Sequence, residues 1–128
     1  MDEKICLDSD VLIELERGNL EVKRILELKK ETATLSTTPI NVFELWFGFK
    51  NKEEIFLLIE DLFIYNFDKN AAKVAGDIKR TLKKEGEDIE IRDLFIAAIC
   101  IKNNLKLFTF NKKHFERLMR FGLILFEL

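Results

Sequence analysis

Apolar residues in this chain switch repeatedly between short continuous runs and helical spacing. Ile5-Cys6-Leu7 is a run of the kind a buried strand makes, and Val11, Leu12 and Leu15 then recur at the helical period. A helix is expected over Ser9–Arg17, stopped by Gly18-Asn19, and a second over Leu20–Lys30. Thr32–Ser36 is short and β-prone, a second strand. Thr38-Pro39 reads as N-cap and first residue of a helix over Pro39–Phe49, followed by another over Lys52–Leu62. Phe63–Phe67 is a third strand. Asp68–Glu85 is amphipathic, with Ala71, Val74, Ala75, Ile78 and Leu82 on one face and Lys69, Lys73, Lys79, Arg80, Lys83 and Lys84 on the other. A loop from Gly86 to Glu90 leads to a helix over Arg92–Lys102, ended by Asn103-Asn104. Leu105–Phe110 is a fourth strand, Lys113–Arg120 a short helix, and Leu123–Phe126 a last strand.

Strands that alternate with helices predict an α/β fold, a parallel sheet with helices on both faces. Right-handed crossovers then bring the C-terminal ends of all strands to one edge. Two helices depart from the one-sided pattern. Phe43, Leu45, Trp46, Phe47 and Phe49 surround one, and Ile55-Phe56-Leu57-Leu58-Ile59 crowd the next. Such helices are buried on more than one side, and together they are expected to form a protein–protein interface.

Composition narrows the class. The 128 residues suit one domain, residues 1–128, and 48% hydrophobic with 34% charged residues is a globular balance. A net charge of −2 gives no overall attraction for nucleic acid, so any such contact needs a local basic patch. There is no secretory signal and no apolar run of membrane length, so the expected location is the cytoplasm. Cys6 and Cys100 lie in apolar runs and read as reduced core thiols. With a single histidine, His114, and no CxxC, zinc is excluded.

The candidate chemistry is acidic. Asp8 ends the first strand, at the edge where open α/β sheets bind ligands. Alone it could be only a helix cap, and Asp10 reads as exposed on the helix's first turn. Glu44 is the one charge within an apolar helix, where a carboxylate is costly without a partner. Gly48, on the same face, predicts close backbone approach. Asp93 opens the helix containing Leu94–Ile99, and Asn111 follows the fourth strand. Each has a bland reading: an ion pair for Glu44, a favourable helix-start charge for Asp93, a turn for Asn111. Jointly, three carboxylates and an amide at one edge need neutralising, and oxygen donors suit Mg²⁺ or Mn²⁺.

Four segments in order resemble the motifs of the PIN domain, and most of all small VapC-type toxins of toxin–antitoxin pairs. They are Ile5-Cys6-Leu7-Asp8-Ser9-Asp10-Val11-Leu12-Ile13, Asn41-Val42-Phe43-Glu44-Leu45-Trp46-Phe47-Gly48, Ile91-Arg92-Asp93-Leu94-Phe95-Ile96-Ala97-Ala98, and Leu107-Phe108-Thr109-Phe110-Asn111-Lys112-Lys113-His114-Phe115. The resemblance implies a three-layer α/β/α fold whose five-stranded parallel sheet has order 3-2-1-4-5. It implies Mg²⁺-dependent RNA cleavage by metal-activated water, giving 5′-phosphate and 3′-hydroxyl ends. By that likeness Asp8, Glu44 and Asp93 hold the metal, and Asn111 joins them as the fourth catalytic position. Ser9 and Thr109 support them through their hydroxyls. Asn111 stands where the family often has Asp, which lowers the negative charge. His114 reads as a surface residue.

RNA would approach along Arg92, Lys112, Lys113 and Arg117, with the Lys69–Lys84 face as a second choice. The likeness also implies a homodimer covered by an antitoxin, with Pro39–Phe49 and Lys52–Leu62 as the surfaces. Two other readings remain at this point. Asp8-Ser9-Asp10 also resembles the D-x-D of haloacid-dehalogenase-type phosphatases, in which the first Asp is the nucleophile. Alternatively, the chain is a non-catalytic PIN or receiver-like binding domain.

Overall fold

A computed structural model describes residues 3–127. Five parallel strands form the sheet: β1 (Glu3–Leu7), β2 (Ala33–Thr37), β3 (Phe63–Ile64), β4 (Lys106–Phe108) and β5 (Ile124–Leu125). Their order is β3-β2-β1-β4-β5, as the resemblance implied. The helices are α1 (Ser9–Glu16), α2 (Leu20–Lys29), α3 (Pro39–Gly48), α4 (Lys52–Glu60), α5 (Lys69–Lys84), α6 (Ile91–Asn103) and α7 (Lys112–Phe115), followed by a 3-10 segment, Glu116–Phe121.

β1 is central because its sequence buries both faces. Ile5 and Leu7 enter one layer with Val11, Leu12, Val22, Leu45 and Ile55, whereas Cys6 enters the other with the α5 and α6 side chains. That second layer is built from small residues. Ala71 and Ala75 on α5 meet Ala97 and Ala98 on α6, so the two helices lie close on the sheet. Asn104 closes α6 in the left-handed conformation at φ 58°, which Asn tolerates well.

Strand ends differ from the expectation. β3 stops at Ile64 rather than Phe67, and β4 at Phe108 rather than Phe110. Apolar runs mark burial, and partial burial continues past the strand: the Tyr65 N–H still donates to the Thr37 carbonyl at 3.1 Å, and Tyr65 and Phe67 pack half-buried on the α5–α6 layer. The last helix splits into α7 and the 3-10 turn, which brings Phe115 and Leu118 fully inside. Phe115→Ala is expected to cost about 3–5 kcal/mol, since it empties a fully buried ring site. Urea unfolding at fixed pH measures it.

The apolar helices α3 and α4 are not sandwiched within the chain. Leu45 and Ile55 face the core, but Phe43, Phe47, Phe56 and Leu57 are 68, 70, 56 and 62% exposed, and Trp46 is 47% exposed. Gly48 has nothing within 4 Å of where a Cβ would stand, so it is not a site of close approach. It simply ends α3.

Candidate active site

The site forms at the C-terminal edge of β1. The ladder carries on past the strand, where the Asp8 N–H donates to the Phe108 carbonyl at 3.0 Å, and this fixes Asp8 beside the end of β4. On the other side the Thr37 hydroxyl donates to the Leu7 carbonyl at 2.7 Å. Asp8 then caps α1, its Oδ1 accepting the Ser9 N–H at 2.8 Å. Only 1% of Asp8 is exposed. Oδ1 also accepts from Asn41 Nδ2 at 2.9 Å and from Arg92 Nη2 at 2.8 Å, and Oδ2 accepts from the Thr109 hydroxyl at 2.8 Å. Four donors hold this carboxylate in place. A phosphatase nucleophile needs a free, approachable oxygen, and Asp8 has none.

Glu44 arrives from the middle of α3. Its Oε1 accepts from the Ser9 hydroxyl at 2.6 Å and from Arg92 Nη2 at 2.8 Å, and its Oε2 from Arg92 Nε at 2.6 Å. Asp93 stands in the first turn of α6, where the helix N-terminus favours an anion. Its Oδ1 accepts from Arg92 Nη1 at 2.8 Å. Burial raises the Asp93 pKa above the ordinary carboxylate value, although Arg92 opposes this. Asn111 borders the same cleft, and its backbone N–H donates to the Thr109 hydroxyl at 3.0 Å. Asp8, Ser9, Glu44, Asp93, Thr109 and Asn111 therefore converge as expected.

Asn41 and Asp10 departed from expectation. Asn41 is fully buried and was not singled out. It accepts from the Thr38 hydroxyl at 2.7 Å and donates to both Asp8 and Ser9, so it ties the start of α3 to the end of β1. The available signal was a polar residue one helical turn before Glu44 in an otherwise apolar helix. Asp10 is partly buried rather than exposed. Its Oδ2 accepts the Phe110 N–H at 3.0 Å, and its Oδ1 is buried without a partner. His114 has an exposed side chain, yet its Nδ1 lies 3.7 Å from Asp93 Oδ2, on the rim of the cleft.

The basic residues are not equivalent. Arg92 turns inward onto the acids, and Lys112 pairs with Glu127 at 2.8 Å. Lys113 and Arg117 border an adjoining cleft of about 520 Å³ that also reaches Asp93 and His114. The side chains around Asp8 border a cleft of about 350 Å³.

Asp10 makes a pH prediction. Burial and the neighbouring Asp8 raise its pKa above the ordinary 3.8, so its ionisation opposes folding. That opposition is absent well below about pH 4, where the group is protonated in both states, grows as pH rises past the ordinary value and is complete above the folded value. Asp10→Asn keeps an oxygen for the Phe110 N–H. In chelator it should be more stable than the wild type at neutral pH, and the gain should vanish on acidification. Urea midpoints on both sides of the carboxylate range measure this.

A divalent cation fits the donor set. Asp8, Glu44 and Asp93 present hard oxygens from three separate elements, and Asp10 adds an unpartnered buried oxygen. As the side chains stand, no three acidic, His or Cys groups among the described residues are arranged to hold an ion. Arg92 is the counter-charge at their centre.

The comparisons with known proteins agree with this fold. The family model described as PIN domain matches residues 5–120, so the chain belongs to the PIN domain family. Ribonuclease VapC1 of Methanocaldococcus jannaschii is 34% identical over 127 residues, covering 98% of this chain and 89% of that protein. Ribonuclease VapC3 of the same organism is 38% identical over 93 residues, which are 73% of this chain and 94% of that one. Among solved structures, VapBC2 from Rickettsia felis, bound to a DNA fragment from its promoter, superposes with a TM-score of 0.86 at 26% identity, covering 98% of both chains. VapBC-1 from nontypeable Haemophilus influenzae superposes at 0.79 with 28% identity over 97% of both.

Proposed function

We propose that this chain is a divalent-metal-dependent endoribonuclease, the toxin of a VapBC-type toxin–antitoxin pair. The observation that carries the reading is the meeting of Asp8, Glu44 and Asp93 at one sheet edge, in a chain whose relatives over nearly its full length are named VapC ribonucleases. Asp8, Glu44 and Asp93 would hold the Mg²⁺ or Mn²⁺. Such an ion, when bound, makes water nucleophilic at neutral pH and stabilises charge on phosphodiester oxygens.

The chain's own residues do the rest. Asn41, Thr109 and the Ser9 N–H fix the Asp8 carboxylate, and the Ser9 hydroxyl fixes Glu44. Asp93 would orient the attacking water and take its proton through the carboxylate oxygen that does not face Arg92. The water oxygen would bond to phosphorus as the bond to the 3′ oxygen breaks, and that oxygen would take a proton from solvent. The products carry 5′-phosphate and 3′-hydroxyl ends. Asn111 lies at the fourth position on the cleft and adds no charge, so it acts as a polar contact. Lys113 and Arg117, on the adjoining cleft, are the best placed cations for the RNA backbone. Arg92 and Lys112 are already held in short ion pairs, and Arg117 donates to the Asp88 carbonyl at 2.6 Å, so Lys113 is the least engaged of the four.

The solved relatives named above are VapBC proteins, and an antitoxin is the partner proposed here. Its surface, and that of a homodimer, is the exposed apolar face of Phe43, Trp46, Phe47, Phe56 and Leu57. A dimer is expected in sedimentation at micromolar concentration, and a strict monomer would contradict that assignment. No helix among the described residues is long and apolar enough to cross a membrane, and the proposed place of action is the cytoplasm. The reading is tested with mixed cellular RNA in Mg²⁺ and in chelator. Discrete fragments with 5′-phosphate ends, absent in chelator and with Asp93→Asn, support it. Cleavage that survives either change contradicts it.

A further inference from the structure

The guanidinium of Arg92 is spent entirely within the site. Nε and Nη2 make a forked pair with the two oxygens of Glu44 at 2.6 and 2.8 Å. Nη2 also donates to Asp8 Oδ1 and Nη1 to Asp93 Oδ1, both at 2.8 Å. One planar group, presenting donors in a rigid fork, thus bridges all three carboxylates that would hold a metal. Burial works against its charge, but the bonds to Glu44 and Asp8 more than compensate, and it stays protonated.

These are the oxygens a cation would need. Asp8 Oδ1, Asp93 Oδ1 and both oxygens of Glu44 face Arg92. With the guanidinium among them, no group of acids among the described residues is arranged to hold an ion. The two cations cannot share the place. Arg92 has a way out: its side chain is 27% exposed, and the adjoining cleft carries Asp88 and Glu90 on its wall, acids that can receive it.

We propose that Arg92 is an intramolecular competitor for the metal. It closes the acidic cluster in the metal-free chain, and a divalent cation binds only by displacing it. This rests on the proposed metal-dependent reading of the same site. Arg92 then sets the cation concentration at which the site fills. It also supplies the counter-charge that lets Asp8, Glu44 and Asp93 pack together before metal arrives. Without it five carboxylates, Asp10 and Glu90 included, would border one cleft.

The test is Mn²⁺ calorimetry on the wild type, Arg92→Gln and Arg92→Lys, with Asp93→Asn alongside. Arg92→Gln should bind Mn²⁺ at least tenfold more tightly than the wild type. Arg92→Lys should fall between, because an ammonium keeps the charge but cannot bridge three acids at once. Equal or weaker binding by Arg92→Gln, with wild-type binding lost in Asp93→Asn, overturns the competition and leaves the metal site standing. Absence of binding in wild type and both Arg92 variants overturns both. A second readout needs no variant at the arginine's position in the folded chain. The Arg92 Nε–H resonance should be dispersed and slow to exchange in chelator and should move to the free-guanidinium position in saturating Mg²⁺. A signal unchanged by a Mg²⁺ concentration that supports binding overturns the displacement.

Discussion

Asp8→Asn is expected to lower RNA cleavage by at least about 1000-fold, roughly 4 kcal/mol of transition-state stabilisation. Asp8 is 1% exposed and takes four hydrogen bonds, from the Ser9 N–H, Asn41, Thr109 and Arg92. All four neighbours donate. An amide in its place must turn a donor toward one of them, so the site loses a negative charge and gains a donor–donor conflict. The chemistry and the fold are both affected. Unfolding should cost the variant about 1–3 kcal/mol, the usual penalty for a buried polar group left without its partner. Measuring cleavage and urea unfolding on one preparation separates the two effects. Near-wild-type cleavage by a folded Asp8→Asn protein would remove Asp8 from the reaction.

The second large effect is at Asn41, which touches no proposed reacting atom. It is fully buried, and its Nδ2 serves both Asp8 Oδ1 at 2.9 Å and the Ser9 hydroxyl at 2.8 Å. Asn41→Asp removes both donations with almost no change in shape and sets a second buried charge against Asp8. A stability loss of about 3 kcal/mol is expected, in the range for an uncompensated buried charge. Cleavage should fall about 100-fold as Asp8 and Ser9 lose their alignment. Mn²⁺ should partly restore the melting temperature, since a bound cation offsets the added charge. A substitution that is neutral in both stability and rate would contradict the positioning role.

Much of this was visible in the order of residues. The switch from Ile5–Leu7 to helical spacing located Asp8, because burying both faces of a parallel strand leaves a continuous apolar run. Thr38-Pro39 marked the start of α3, and with it the phase that turns Glu44 toward the sheet edge. The strand ends were not legible, since Tyr65 and Phe67 pack half-buried on the α5–α6 layer beyond the end of β3 and apolar patterning reports burial alone. The exposure of Phe43 and Phe47 was foreshadowed, because α3 and α4 carry more apolar surface than one small core can use. Asn41 and Arg92 escaped for a different reason. Polar partners are chosen by contacts between residues distant in sequence, such as Arg92 to Glu44, and no local period records them. Basic residues beside acidic ones read as a surface for RNA, whereas Arg92 is used inward as a counter-ion.

The central claim is that Asp8, Glu44 and Asp93 form one divalent-metal site, and Mn²⁺ calorimetry on the wild type beside Asp93→Asn tests it most directly. The account predicts saturable binding by the wild type and its loss, or at least about tenfold weakening, in a folded Asp93→Asn protein. Equal binding by the two proteins, or none by the wild type at millimolar Mn²⁺, would contradict it.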